Sequence, residues 1–413
     1  MTGTSAQAAP PGTTVARPLF SPFAVVASCV GFALIGALQA LYGPAIPAFR
    51  TEFGLSPAAA GLSLSAHFVG GVAGVLLLNR AHGRLGNRTL LSASYALMAL
   101  GGAGFALAPA WPWALACALV TGVGFGGIDY GLNQLFSVGF GRRSPAMLNI
   151  IGAAYGLGAV GGPALLGLLG PGEYPAVFAG FAALSAALVL AQRGVHEGGE
   201  APAPPPSDEK GEESEAGTPG LRASVALVVT VFIVLYVLMV AVETGVGGWE
   251  PTHLESVGHD AATAATATSA FWLMVTVGRL LVAPLTLRWS VQTIMVVSSA
   301  GMVACLLLAL VPAAAPYAYA GVGLFHAPIF PTGLPWLSRA VPRARRAGAY
   351  VIAASMIGGV AAGPVLGKGI ELAGVDAVPV LLALPAAGCL AATWWLIRAT
   401  RDRSPSRTAN SLT

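Results

Sequence analysis

Apolar residues in this chain fill long runs separated by short polar breaks, and each run is long enough to form a helix across a hydrocarbon core of ~30 Å. Twelve spans are predicted. The first six cover about 22–47, 58–79, 89–109, 112–139, 147–169 and 175–193. The second six cover about 222–248, 261–283, 290–311, 316–338, 347–370 and 376–398. One interruption has a different character. In residues 194–221 an Ala/Pro run is followed by Asp208, Glu209, Glu212, Glu213 and Glu215. Such a segment cannot bury apolar area, so a solvated, disordered linker is expected. The expected organisation is a disordered N-terminus (1–21), a six-helix bundle (22–193), the linker (194–221), a second six-helix bundle (222–398) and a tail (399–413).

Composition supports the pattern and removes alternatives. The chain is 55% hydrophobic and 9% charged, whereas a soluble domain is about 25% charged. The net charge of +4 does not point to nucleic acid, because the arginines mark one side of the membrane. Arg80, Arg84 and Arg88 follow the second span, Arg142 and Arg143 the fourth, and Arg288 the eighth. Arg339, Arg343, Arg345 and Arg346 follow the tenth, and Arg398, Arg401, Arg403 and Arg407 the twelfth. The opposite loops hold only Arg50 and Lys368. By the positive-inside rule both termini and the linker are expected to be cytoplasmic. Only Lys210 and Lys368 among the 21 basic residues are lysine, a bias expected of a GC-rich bacterial genome and hence of a bacterial cytoplasmic membrane. The four cysteines, Cys29, Cys117, Cys305 and Cys389, lie far apart in apolar runs, without disulfide or metal spacing. No cleavable signal is expected, because the first basic residue is Arg17 and the run beyond it is a full span.

Against this background two carboxylates stand out. Asp129 is the only charged residue between Trp111 and Phe140, and Glu243 lies in a run from Leu221 to Trp249 with only Arg222 at its entrance. A carboxylate at membrane depth costs at least ~2.5–3.5 kcal/mol on insertion scales, so it faces a cavity, an ion pathway or a partner inside the bundle. His67 and His326 also lie within spans, and a histidine can exchange protons near neutrality or bridge helices. Arg279 lies deep in the eighth span, where it can pair with a carboxylate or snorkel. His253, Glu255, His259 and Asp260 are expected in one external loop, read as solvated charge and not as a metal site.

The two halves repeat. Arg142–Gly167 aligns with Arg343–Lys368 at an offset of 201, matching Gly158-x-x-x-Gly162-Pro163 to Gly359-x-x-x-Gly363-Pro364. Ser65-Ala66 and Arg84 match Ser269-Ala270 and Arg288 at an offset of 204. Repeats of six spans joined by a linker are the mark of a two-bundle transporter with its site near the midplane.

At this point the chain resembles the major facilitator superfamily over its whole length. The loop Asn79–Arg88 is similar to that family's signature loop, keeping Arg84, Gly86 and Arg88 but carrying Gly83 in place of the aspartate. Within the superfamily, several runs resemble the fucose- and glucose-type sugar–proton symporters. These are Gly126-x-x-Asp129-x-x-x-Asn133, Leu148-Asn149, Glu243 with Gly248-Trp249, Trp272 with Gly278-Arg279, and Ala327-Pro328-Ile329-Phe330-Pro331-Thr332. The spacing of four puts Asp129 and Asn133 on one helix face. Two departures matter: the first span offers only Gln39 and Tyr42 near the site, and Gly152 stands where the branch tends to carry Gln or His. Both remove hydrogen-bonding groups, so the ligand is expected to be larger or less polar than a free hexose. A glycine run from Asn149 to Gly167 is also similar to the antiporter motif of drug–proton exchangers. Close helix packing explains the same run.

The resemblance implies an all-α membrane protein of twelve helices in two pseudo-symmetric bundles, moving a small organic solute, sugar or sugar-like, by alternating access with proton coupling. Asp129 and Glu243 are the proton-coupling candidates. Gln39, Tyr42, Asn133, Asn149, Trp249, Trp272 and His326 are the substrate-binding candidates. Arg84, Arg88, Gly158, Gly162, Pro163, Arg279, Gly359, Gly363 and Pro364 are the conformational ones. The partners expected are protons, a small-molecule substrate and the lipid bilayer, in a monomer without cofactor, metal or nucleic acid. Export of a drug or secondary metabolite by proton antiport, and solute sensing without transport, remain as alternatives. No enzyme motif rises above chance.

Overall fold

The computed structural model describes residues 19–82, 84–196, 219–341 and 347–401. Most of the N-terminus, linker and C-terminal tail, together with Gly83, Arg343, Arg345 and Arg346, lie outside these residues. Among the described residues the chain is helical, with α1 (Pro22–Phe53), α2 (Pro57–Ala81), α3 (Asn87–Ala106), α4 (Trp111–Gly139), α5 (Ser144–Leu169) and α6 (Tyr174–Ala191) in the first half. The second half contains α7 (Pro219–Ser256), α8 (Ala261–Thr286), α9 (Val291–Leu308), α10 (Ala315–His326), α11 (Ile329–Ala340), α12 (Ala347–Ala373) and α13 (Val378–Arg401). Local chemistry sets the ends. Ser21, Ser56, Asp260 and Ser290 each accept a backbone N–H as N-caps. Two hydrogen bonds from Thr263 help to hold the Asp260 carboxyl below the usual carboxylate range. Gly54 closes α1 in the left-handed conformation, φ 64°.

Two spans differ from the sequence expectation. Among the described residues eleven helices are long and apolar enough to cross a membrane; the tenth predicted span is instead two helices, α10 and α11, broken at Ala327-Pro328. Pro328 has no N–H to give to the Leu324 carbonyl, which interrupts the hydrogen-bond ladder although Ala327 itself keeps helical angles. Pro331 and Pro335 remove two further N–H donors from α11, and the Tyr236 hydroxyl bonds the Phe330 carbonyl at 2.9 Å. The seventh span runs on to Ser256, past Trp249, Glu250 and Pro251. His253 and Glu255 therefore belong to a helix and not to a loop, and Glu243 lies 13 residues before the helix end. The polar cluster after Trp249 lowers hydropathy, but every residue from Thr244 to Leu254 is buried.

Helices α1–α6 pack into one bundle and α7–α13 into another, and the bundles meet along α2–α12, α5–α8 and α1–α7. These contacts run from the face opposite the arginine loops (the far face) to about mid-depth. Gly61 meets the Gly363 backbone, Gly367 meets Pro57 and Ala58, Gly43 meets Gly247, and Gly359 meets Phe68. On α5, Gly167 packs on Ala265 and Gly156 on Thr276, yet Asn149, Gly152 and Ala153, nearer the arginine face, are exposed. The molecule is sealed at the far face and open toward the arginine face.

The repeated glycines do different work in the two halves. Gly158 and Gly162 let α5 approach Ala33 and Ala37 of α1 inside the first bundle, whereas Gly359 and Gly363 pack across the bundle interface onto α2. Gly363→Leu is accordingly expected to weaken the far-face seal, since overpacking costs ~1–3 kcal/mol. A cysteine at Leu64, 3% exposed here, should then gain reactivity to a membrane-impermeant maleimide applied at the far face. Gly162→Leu should instead lower thermal stability and leave that reactivity unchanged.

Candidate functional site

The site lies between the bundles at the inner edge of the seal. From the second bundle, Glu243 on α7 places Oε2 3.4 Å from His326 Nε2, and this histidine is the last residue of α10, at the proline break. Arg279 on α8 is exposed within its span and acts electrostatically on His326. From the first bundle, α4 brings Asp129, whose Oδ1 accepts a hydrogen bond from Asn133 Nδ2 at 3.1 Å. The same amide donates to the Asp129 carbonyl at 2.9 Å. The spacing of four therefore produces the orienting contact it suggested.

Tyr155 on α5 ties the two sets together. It lies within electrostatic reach of Glu243, Arg279 and Asp129 at once. Two carboxylates and one guanidinium, supplied from both bundles, thus act on one phenol. Asn149 and Asn133 are exposed and Gln39 is partly exposed, while the Trp272 indole lies against Gly247 with its Nε1 lacking a partner. Beside Asn149, a Cβ at Gly152 would meet open space.

Other expected site residues lie elsewhere. Tyr42 has no exposed surface and packs among His67, Phe105 and Phe178 in the first bundle's aromatic core. Its ring is directed away from the interface by this packing, so it does not line the open space as expected. Trp249 is also fully buried, in the sealed outer part of α7. Neither ring nitrogen of His67 has a hydrogen-bond partner among the described residues, so it is not the satisfied interhelical bridge that its position suggested. Arg84 and Arg88 are exposed at the arginine face, near the α2–α3 connection. No cluster of three or more His, Cys, Asp or Glu suited to a metal is found among the described residues.

Three contributors were not singled out from sequence. Tyr155 sits inside the Gly-Ala-Ala-Tyr-Gly run on α5 and carries no pattern of its own. Glu250 lies beyond the point where hydropathy suggested that the seventh span ended. Glu371, on α12, reaches across the interface: it accepts the Ala58 N–H at 3.1 Å and the Lys368 ammonium at 2.9 Å. Its carboxylate thereby satisfies a free N–H at the start of α2, where the helix dipole favours negative charge. This bond exists only while the far face is closed.

With that geometry established, similarity to known proteins can be read. The family model of the Major Facilitator Superfamily matches residues 28–322, and the chain belongs to that superfamily. It is a multi-pass membrane transporter. The fold is similar to that of the nucleoside transporter NupG, over 92% of this chain and 98% of that one, at 16% identity and a TM-score of 0.72. It is similar to a D-xylose-proton symporter over 94% and 99%, at 15% identity and a TM-score of 0.73. A bacterial homolog to the human lysosomal transporter Spinster, in an inward-facing and unoccupied conformation, is similar over 94% and 100%, at 14% identity and a TM-score of 0.70. At these identities the likeness is one of fold. No curated relative matches the chain in sequence.

Glu371→Ala is expected to shift the protein toward a far-open state. The Leu64→Cys reporter should label several-fold faster in that background, and Glu371→Gln, which keeps an acceptor for the Ala58 N–H, should fall between the two.

Proposed function

We propose that this protein is a proton-coupled secondary active transporter of a hydroxylated organic solute, a sugar or a sugar-bearing molecule such as a nucleoside. It works by alternating access in a bacterial cytoplasmic membrane, with both termini cytoplasmic. The arginine face is then the inner face, and the open space faces inward. The observation that supports this reading is that each bundle holds an oriented carboxylate in its span, Asp129 with Asn133 on α4 and Glu243 with His326 on α7 and α10, and that both, with Arg279, act electrostatically on Tyr155 of α5. Rocking of the bundles changes the separation of these charges, so it changes the free energy of protonating either carboxylate.

In this mechanism Asp129 takes the coupled proton from water in the cavity, and Asn133 holds the carboxylate toward that cavity. Glu243 is the second candidate, with His326 Nε2 3.4 Å away and Arg279 as the nearby positive charge. Asn133, Asn149 and Gln39 supply hydrogen bonds to solute hydroxyls, and Trp272 supplies an apolar face. The open space at Gly152 supports a ligand larger than a free hexose. The glycine run on α5 is accounted for by packing against α1, which favours symport over a drug-exchanger reading. Proton-linked efflux of a drug, with no uptake of sugar or nucleoside, would reverse that preference.

In proteoliposomes, Asp129→Asn should abolish pH-driven accumulation while leaving counterflow measurable, because the amide keeps shape and hydrogen bonding but cannot carry a proton. Accumulation with unchanged pH dependence would make Asp129 structural. Loss of coupling in Glu243→Gln alone would move the proton site to α7. Gly152→Leu should weaken binding of a nucleoside more than that of a pentose, by about tenfold, the equivalent of ~1.4 kcal/mol; competition binding with the two ligands measures it.

A further inference from the structure

Two turns outward from Glu243 on α7 lies a second carboxylate, Glu250, with no exposed surface; the Thr268 hydroxyl faces it, and neither oxygen makes an ion pair or a well-formed hydrogen bond among the described residues. Its neighbours follow from helix register. Seven residues separate Glu243 from Glu250 on α7, and seven separate His326 from Tyr319 on the antiparallel α10. As Glu243 is level with His326, Glu250 is level with Tyr319, and Tyr319 feels the Glu250 charge. One α7 turn below Glu250, Gly247 packs on Trp272 of α8; Glu250 itself faces the Thr268 hydroxyl, one α8 turn farther out. The Tyr319 hydroxyl is 3.1 Å from His253 Nδ1. On its outer side His253 feels Asp376 and His259, and Asp376 also accepts a hydrogen bond from Ser256 at 3.3 Å.

The remaining elements near this group supply little charge. Gly43 of α1 and Leu64 of α2 meet α7 at Gly247 and Gly248. Arg50 of α1 comes level with Leu254 by the same register and makes no ion pair with Glu250. A carboxylate charge shut away from water without an ion pair is costly to hold. The chain from the far face to the central site is thus Asp376, His253, Tyr319, Glu250, and then Glu243 with His326, the two rungs being roughly 10 Å apart along α7.

We propose that Glu250, with Tyr319 and His253, is an outer proton-loading site that feeds the central site from the far face. The proposal rests on the proton-coupled reading above and adds the route. When the far face opens, a hydronium ion protonates His253. The imidazolium, protonated at Nε2, passes its Nδ1 proton to the Tyr319 hydroxyl, and water admitted between Tyr319 and Glu250 carries the hydroxyl's own proton to the carboxylate. One proton enters and one is stored; the phenol is restored, and the imidazole is left neutral as its Nε2–H tautomer, which resets by exchange with water. Water entering between the rungs then carries the proton from Glu250 to Glu243.

Two measurements on the full-length protein test this. Infrared difference spectra of the solubilised wild type should contain a protonated-carboxyl C=O band that is absent in Glu250→Gln; a band unchanged by that substitution overturns the proposal. In proteoliposomes loaded with a pH-sensitive dye, a panel of D-xylose and uridine reads coupling. Glu250→Gln and Tyr319→Phe should each slow solute-linked proton uptake from the far side by roughly 100-fold, in the range of lost proton-transfer groups, with solute counterflow intact. Tyr319→Phe retains the ring, so it stands as the test if Glu250→Gln fails to fold. Loss of the band with unaltered coupling would make Glu250 a structural acid and overturn the proposal alone. A wild type that moves no protons with either solute overturns it together with the proton-coupled reading.

Discussion

A charge placed among apolar helices must find water, a countercharge or a proton, and the arrangement of this molecule follows from how each buried ionisable group meets that requirement. Asp129 reaches the cavity and an asparagine amide. Glu243 has His326 beside it and Arg279 nearby. Glu250 has neither exposed surface nor an ion pair, only the Thr268 hydroxyl facing it, and this is where the proposed stored proton would sit. These three environments are held in place by backbone features. The break at Ala327-Pro328 ends α10 at His326, and the unbroken run of α7 to Ser256 carries two carboxylates on one helix. Rotating a span by half a turn would aim a carboxylate at hydrocarbon, at a cost of several kcal/mol.

The internal repeat supplies symmetry of architecture but not of contact. The same glycine–proline run serves cohesion within the first bundle on α5 and approach between bundles on α12. Only the second kind of contact has to be made and broken in each cycle. The Glu371 carboxylate at the start of α2 belongs with it, as a polar clasp over an interface that also holds a Ser65–Val360 hydrogen bond and the Phe68 ring on Gly359. The glycines on both sides of this seal let it separate with little apolar area to hydrate at the points of closest approach.

Much of this was readable from residue pattern alone. Long apolar runs gave the helices, the arginines gave one face, and the repeat gave the two bundles. The i, i+4 spacing of Asp129 and Asn133 foretold their hydrogen bond. The misreadings have common physical causes. Hydropathy ended the seventh span at Trp249, because Glu250 and His253 look like loop residues until their burial by neighbouring helices is known. It also carried the tenth span through Pro328, because hydropathy takes no account of a missing N–H. Tyr42 and Asn133 lie in comparable apolar runs, and only packing turns one into the bundle core and leaves the other in the cavity. Tyr155 and Glu371 act across the interface, where no pattern along a single helix can register their partners.

The charges around Tyr155 have an electrical consequence. Two carboxylates against one guanidinium leave the empty cavity with one net negative charge, and a single bound proton removes it. In the proton-coupled cycle proposed above, the loaded carrier would then cross as a neutral unit, while the empty carrier would return as an anion. A membrane potential, negative inside, acts on a charge by about 2.3 kcal/mol per 100 mV. It would therefore leave the loaded step unaffected and drive the outward return of the empty protein, so voltage and pH gradient would power different halves of the same cycle.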